Sequence, residues 1–231
     1  MYPSADGDMV LRTAESLGLG FTAAQATLLL AYCSLLQERA IPLGMVSESD
    51  SGRLLERHVL DSLRAAPIVR DLGASRTCDL GSGAGLPGVV LAVALPTVEF
   101  VLAEARTRRA AFLELAVERL GLENATVYAG RVEDLDVRFD GCTARAFAPL
   151  SQAWEAARRT LEPGGSLVFF AGATERVPDS LPGASSILRA AGGAAPHIVG
   201  GPTPPLRLPE GAGSSGRGAL ASGGDLVIIT A

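Results

Sequence analysis

The densest chemistry in the chain lies in Cys78-Asp79-Leu80-Gly81-Ser82-Gly83-Ala84-Gly85-Leu86-Pro87-Gly88. A short apolar strand enters this stretch and a helix leaves it. Glycine accepts positive φ and lets a ligand lie against bare main chain at a helix N-terminus. Gly83-x-Gly85-x-x-Gly88 formally matches a dinucleotide fingerprint, and an acidic residue, Glu104, follows about 20 positions on. Asp79, at the strand tip, argues for a different ligand. A carboxylate there repels a pyrophosphate but can approach the cationic methionyl end of S-adenosylmethionine, and Glu104, ending the next strand, would accept both ribose hydroxyls. A dinucleotide site and a purely structural turn stand as the alternatives.

Two groups of arginines suggest an anionic partner. In the helix predicted over 51–66, Arg53, Arg57, Asp61 and Arg64 share one face and Leu55, Val59 and Leu63 the opposite one. Arg57 and Asp61, four apart, form a solvated ion pair in the plain reading. Arg106, Arg108 and Arg109 open another helix, where the dipole disfavours cations; that conflict points to an anion, with a snorkelling surface helix as the alternative.

The elements that must carry these residues follow from periodicity. Helices are predicted over 22–38, capped by Thr22 with Gln25 completing a capping box, and before it around 11–17, stopped by Gly18. A third spans 51–66 and is ended by Pro67. From Arg76 on, strands at 77–80, 98–103, 125–129, 141–146 and 166–171 alternate with helices at 86–95, 106–120 and 150–161, the last ended by Pro163-Gly164-Gly165. That alternation predicts an α/β fold: a mostly parallel sheet with helices on both faces. Residues 174–190 read as a helix, 200–224 as a long flexible loop, and 225–230 as a final strand. The chain divides into an N-terminal helical segment, 1–66, packed on the core, and a main domain, 67–231.

Composition limits the function. The chain has 231 residues, 20 basic against 25 acidic, and every basic residue is Arg. A net charge of −5 excludes a nucleic-acid binder that relies on bulk charge, though not one with a local basic face. The near-apolar runs at 26–36 and 86–96 fall short of the roughly 20 residues a membrane helix needs. The acidic start lacks the order of a signal peptide. Cys33, Cys78 and Cys142 are too scattered for zinc or a disulfide framework, so a reducing cytosol is expected. No metal site is expected.

Five motifs in order carry a specific resemblance: Arg57-His58-Val59-Leu60-Asp61-Ser62; Asp79-Leu80-Gly81-Ser82-Gly83-Ala84-Gly85-Leu86-Pro87-Gly88; Thr107-Arg108-Arg109 with Phe112-Leu113-Glu114; Gly130-Arg131-Val132-Glu133-Asp134; and Ala144-Arg145-Ala146-Phe147-Ala148. From about residue 24 to 172 the chain resembles the small-subunit (16S) ribosomal RNA guanine-N7 methyltransferases, the glucose-inhibited division protein B family. The resemblance implies a class I methyltransferase domain with a Rossmann-like sheet, S-adenosylmethionine as cofactor, and N7 of a guanine in the decoding region of 16S rRNA as acceptor. It implies that Asp79, Gly81, Gly83, Gly85, Leu86 and Glu104 hold the cofactor, with Val132 and Glu133 beside the adenine. Arg145 would sit by cofactor and target base and, with His58, position the nucleotide; no residue is implied as a general acid or base. Arg53, Arg57, His58, Arg64, Arg106, Arg108 and Arg109 would contact RNA. The plain readings are a core valine for Val132, a helix-start carboxylate for Glu133 and a surface salt bridge for Arg145.

The implied partner is 16S rRNA or the small ribosomal subunit, met by a cytoplasmic monomer without a membrane. Three family features are missing: Phe170-Ala171-Gly172 stands where a Lys-Gly pair is usual, Pro42-Leu43-Gly44 where Asn-Leu-Thr is usual, and the tail Gly223-Gly224-Asp225-Leu226-Val227 lacks the usual basic residues. They leave a related methyltransferase of a small molecule as the alternative.

Overall fold

Five short apolar stretches, β1 (Arg76–Leu80), β2 (Glu99–Ala103), β3 (Ala125–Tyr128), β4 (Phe139–Arg145) and β5 (Leu161–Phe170), form the parallel part of one sheet. In the computed structural model, which describes residues 4–172, 174–190, 197–200 and 225–231, three more strands extend it: β6 (Ser186–Ala190), β7 (His197–Gly200) and β8 (Leu226–Thr230). The order is β3-β2-β1-β4-β5-β8-β6-β7, with β8 antiparallel to both β5 and β6. The strand order reverses between β1 and β4, and ligands of such sheets bind outside the strands' carboxyl ends at that reversal.

Alternation along the strands feeds two cores. Phe100, Leu102, Val168, Phe170, Leu226 and Ile228 face one; Val101, Ala103, Leu167, Phe169, Val227 and Ile229 face the other. On the first face lie α1 (Ser4–Ser16), α2 (Ala23–Leu35), α4 (Ala66–Asp71), α5 (Gly88–Ala94) and α6 (Thr107–Leu120). On the second lies α7 (Leu150–Thr160), with Trp154 fully buried and its Nε1 donating to the Pro182 carbonyl. The sheet covered on both faces is the predicted architecture.

Local expectations meet mixed outcomes. The capping box of Thr22 and Gln25 is present, and the Gln25 amide also donates to the Val93 carbonyl, tying α2 to α5. α1 is longer than the predicted helix before it. The third predicted helix is composite: a 3-10 turn (Glu48–Arg53), a π-helical turn (Leu55–Leu60) and the short α3 (Asp61–Leu63). Pro67 does not end it; it occupies the first turn of α4, where a missing N–H costs nothing. Pro163-Gly164-Gly165 lies inside β5, where pairing with β4 shifts register. The helix expected over 174–190 is overturned. Pro178 and Pro182-Gly183 interrupt it, and Ser186–Ala190 pairs with β8 instead. The loop expected over 200–224 lies outside the described residues, apart from Gly200, which ends β7.

Cys78 and Cys142 are buried register partners on β1 and β4, and burial raises both thiols, Cys142 to about 12. They are unreactive core groups. No helix of the described residues is long and apolar enough to cross a membrane. Among the described residues no group of three or more His, Cys, Asp or Glu could hold a metal ion.

Candidate functional site

The glycine-rich turn leaves β1 at the strand reversal. Gly81, Gly83 and Gly85 have φ of +62°, +60° and +87°, a region closed to side chains at little cost only for glycine. The N-terminal helices support this turn from below. Tyr32 of α2 is fully buried, and its hydroxyl donates to the Ala84 carbonyl.

Asp79 does not face a ligand. It is 1% exposed, its Oδ1 accepts from Thr143 Oγ1 at 2.7 Å, and its Oδ2 accepts from the Ser82 hydroxyl and from the Gly88 amide at 3.1 Å. Burial raises its carboxyl to about 6, against the lowering effect of those bonds. The expected direct approach of Asp79 to a cationic methionyl group is therefore corrected: one oxygen serves the turn and the other Thr143 of β4. Its position still decides between ligands. The Gly88 amide is the first of α5, so the anion place at that helix N-terminus is filled by a carboxylate, and a pyrophosphate is excluded there.

Glu104 follows β2 and is buried, with its carboxylate against the glycine turn. Oε2 accepts the Gly83 amide at 3.0 Å and Oε1 the Arg106 amide at 2.8 Å. It sits at the start of α6 and offsets the charge conflict of the arginines there. Arg106 and Arg108 are exposed; Arg109 is half-buried, its guanidinium beside Gly83. After β3, a 3-10 turn (Val132–Asp134) places Val132 in the core and leaves Glu133 exposed. Val132 thus takes its plain core reading for the side chain. Main chain with three left-handed glycines, one carboxylate within reach and an adjacent exposed turn fit a nucleoside with a ribose diol.

Arg145 ends β4 and is wrapped by the motif that begins at Arg57. Its Nη1 donates to Ser62 Oγ at 3.3 Å; its Nη2 donates to the Arg57 carbonyl at 3.2 Å and meets His58 Nδ1 at 3.3 Å and Asp61 Oδ2 at 3.2 Å. The guanidinium also lies 5.8 Å from the Phe170 ring centroid. The plain reading of a surface salt bridge fails, because the Arg145 side chain is 18% exposed and its polar partners converge from the π-helical turn and α3.

The expected Arg57–Asp61 pair is not formed. Asp61 pairs with Arg64 at 2.8 Å and with Arg145, while Arg57 Nε faces Asp50 Oδ1 at 3.4 Å. The π-helical turn carries the Arg57 side chain away from the predicted single face. Arg64 is buried and so does not present a cation to solvent; Arg53 and Arg57 remain exposed.

Beside Arg145 opens a cleft of about 790 Å³ between the ends of β4 and β5 and the π-helical turn. Arg57, Arg145, Phe147 and Phe170 line it, with Glu175 and Asp225 opposite. The Phe147 ring lies so close over Gly81 that a Cβ at that glycine would overlap it. The structure therefore brings Gly81, Gly83, Glu104, Arg145 and His58 to one end of the sheet. Sequence reasoning missed Asp50, Asp61, Ser62, Thr143 and Phe147. Asp61, Ser62 and Phe147 fall within the quoted motifs, so the signal was there; Asp50 and Thr143 carry none.

Over residues 25–178 the chain matches the model of a family described as rRNA small subunit methyltransferase G. This chain belongs to that family. It is 40% identical over 146 residues to the ribosomal RNA small subunit methyltransferase G of Acidothermus cellulolyticus, a match covering 63% of this chain and 65% of that protein. With the protein of the same name from Burkholderia thailandensis it shares 38% over 161 residues, covering 67% and 70%. The fold is similar to that of a putative O-methyltransferase from Klebsiella pneumoniae, with a TM-score of 0.54, 16% identity and 88% of each chain covered. It is likewise similar to an O-methyltransferase from Bacillus cereus in complex with SAH, with a TM-score of 0.51, 16% identity and 88% and 90% covered. Membership makes the chain a methyltransferase dependent on S-adenosylmethionine.

Proposed function

We propose that this chain methylates N7 of a guanine in 16S rRNA, with the base entering the cleft beside Arg145. The observation that carries the reading is the placing of Arg145: it stands between the glycine turn and the cleft, held by the Arg57 carbonyl and by the His58, Asp61 and Ser62 side chains. A group held so firmly can orient a ring at the mouth of a cofactor site.

The cofactor supplies an electrophilic methyl group on a sulfonium. The main chain of Gly81, Gly83, Gly85 and Leu86 would receive its methionyl part and Glu104 its ribose hydroxyls, with Glu133 and the main chain at Val132 beside the adenine. Guanine N7 has a free lone pair and no proton to lose, so no general base is needed. His58 agrees with this, since both its ring nitrogens have partners within the protein. The residues' task is to orient the base toward the methyl group that the donor would supply and to exclude water. Phe147, over Gly81, is placed to stack on the base. Arg53, Arg57, Arg106, Arg108 and Arg109 meet phosphates around the cleft. The protein acts as a cytoplasmic monomer, on the small subunit or its rRNA.

Small subunits from cells lacking the modification, incubated with protein and methyl-labelled donor, should take label into 16S rRNA. Reduction and aniline treatment, which cleave at 7-methylguanine, should then cut at one labelled site. Label without cleavage refutes N7; no label in rRNA refutes the substrate. A small-molecule acceptor, the alternative reading, would show little dependence of activity on salt, whereas phosphate contacts make affinity fall steeply.

A further inference from the structure

We propose that Asp50 is a positioning residue for methyl transfer, which acts through the His58 ring to fix the Arg145 guanidinium at the cleft. The inference rests on the reading of Arg145 given above.

Asp50 lies in the 3-10 turn before the π-helical turn, and it is 8% exposed. Its two oxygens have separate tasks. Oδ1 faces the exposed Arg57 and Arg53 at 3.4 and 3.9 Å, while Oδ2 meets His58 Nε2 at 3.0 Å. On the other side of the ring, His58 Nδ1 meets Arg145 Nη2 at 3.3 Å. A guanidinium can only donate, so Nδ1 must present its lone pair. The single ring proton of the neutral form then sits on Nε2 and points at Asp50. One tautomer satisfies both neighbours, and the carboxylate holds the ring in the orientation that offers Nδ1 to Arg145.

The charges agree. His58 is faced by Asp50 from the 3-10 turn, by Arg145 from β4 and by Arg57 from its own turn. Burial first, and then Arg145, lower its pKa below 6.5, while Asp50 opposes them. The ring is therefore neutral at neutral pH. A second proton, on Nδ1, would replace the bond to Arg145 with a clash of cations.

The other polar contacts of Arg145 come from Arg57, Asp61 and Ser62, within one helical stretch. Asp50 ties the His58 side of that stretch to a different turn. Without this tie the ring can rotate and Nη2 loses a partner, and a displacement on the scale of an ångström costs up to about 100-fold in rate.

The test compares the full-length wild type with Asp50→Ala and Asp50→Asn. Two readouts are taken: methyl transfer to small subunits, and the NMR titration of His58, assigned by difference because the chain has two histidines. In Asp50→Ala, kcat should fall by about 10-fold or more with KM for the methyl donor unchanged. The His58 pKa should move lower still, because the one favourable neighbour is gone. Asp50→Asn, whose amide oxygen still accepts from Nε2–H, should recover most of kcat. An unchanged kcat in Asp50→Ala overturns the proposal. So does a His58 pKa that rises toward 6.5, because that means the segment has merely opened to water. Arg145→Ala separates the two levels. Wild-type kcat in that variant overturns the placing of Arg145 and the proposal with it, whatever His58 does, while a large loss there with no effect of Asp50→Ala overturns only the role of Asp50.

Discussion

The Glu104 carboxylate accepts the Gly83 amide at 3.0 Å, so the residue after β2 clamps the turn that follows β1. With the Arg106 amide on its other oxygen, the side chain builds the turn before any ligand arrives. Glu104→Ala removes two charge-assisted bonds to main chain, each worth about 1.5–3 kcal/mol. Calorimetry should show affinity for S-adenosylmethionine reduced by roughly 100-fold. Glu104→Gln should lose nearly as much, because its NH₂ would face an amide that can only donate. Unchanged binding in both would mean that neither turn nor ribose depends on the carboxylate.

Asp79 predicts a pH effect with a definite sign. Its carboxyl is raised to about 6 in the folded chain, above its ordinary 3.8. A raised acid binds its proton more tightly when folded, so its stabilising contribution is complete below about 3.8 and is lost as pH rises through 6. Asp79→Asn can still accept from Ser82 and Gly88 and can donate to the Thr143 hydroxyl. The melting temperature of wild type minus that of Asp79→Asn should therefore become more negative between pH 4 and pH 7. Asp79→Ala leaves Ser82, Thr143 and the Gly88 amide without their acceptor and should destabilise at every pH, by about 1–3 kcal/mol for each buried group.

Gly81 and Phe147 form a pair suited to a double-mutant cycle. A methyl at Gly81 meets the Phe147 ring and also a φ of +62°. Gly81→Ala should lower thermal stability. Adding Phe147→Ala should return the steric share of that loss but not the backbone share of about 1–2 kcal/mol. Strict additivity of the two changes would show that ring and turn are not in contact in solution.

The arginines separate by burial. Arg57 and Arg108 are exposed, and replacing either with Gln should flatten the slope of log affinity for rRNA against log salt by about 0.7–1. Arg64, buried against Asp61, should instead appear in the melting curve. Loss of a partner from a buried pair costs about 3–5 kcal/mol, with no change in the salt slope of the protein that remains folded.

The parallel half of the sheet was legible because each strand is a short apolar run closed by glycine, proline or a charge, and each helix has its own stop. The glycine turn was legible for the same reason: strand, turn and helix are contiguous. What lies across the sheet was not. Asp79 bonds Thr143, which is 64 residues away, and Arg145 bonds Ser62, which is 83 away, so no local pattern announces either. The π-helical turn was missed because its leucines and valine fit an ordinary helical period, and that error misplaced Arg57 and Arg64. The third miss, the helix over 174–190, runs through Pro178 and Pro182, whose effect on the backbone is local and certain.

β8 holds residues 226–230 between two strands that were made earlier, β5 and β6. Synthesis runs in one direction, so the outer edge of β5 stays open until residues 226–230 have left the ribosome. The five-strand half around the cofactor turn can assemble as it emerges; the closing of the sheet is a late event, made by a segment that fits like a keystone between elements already in place.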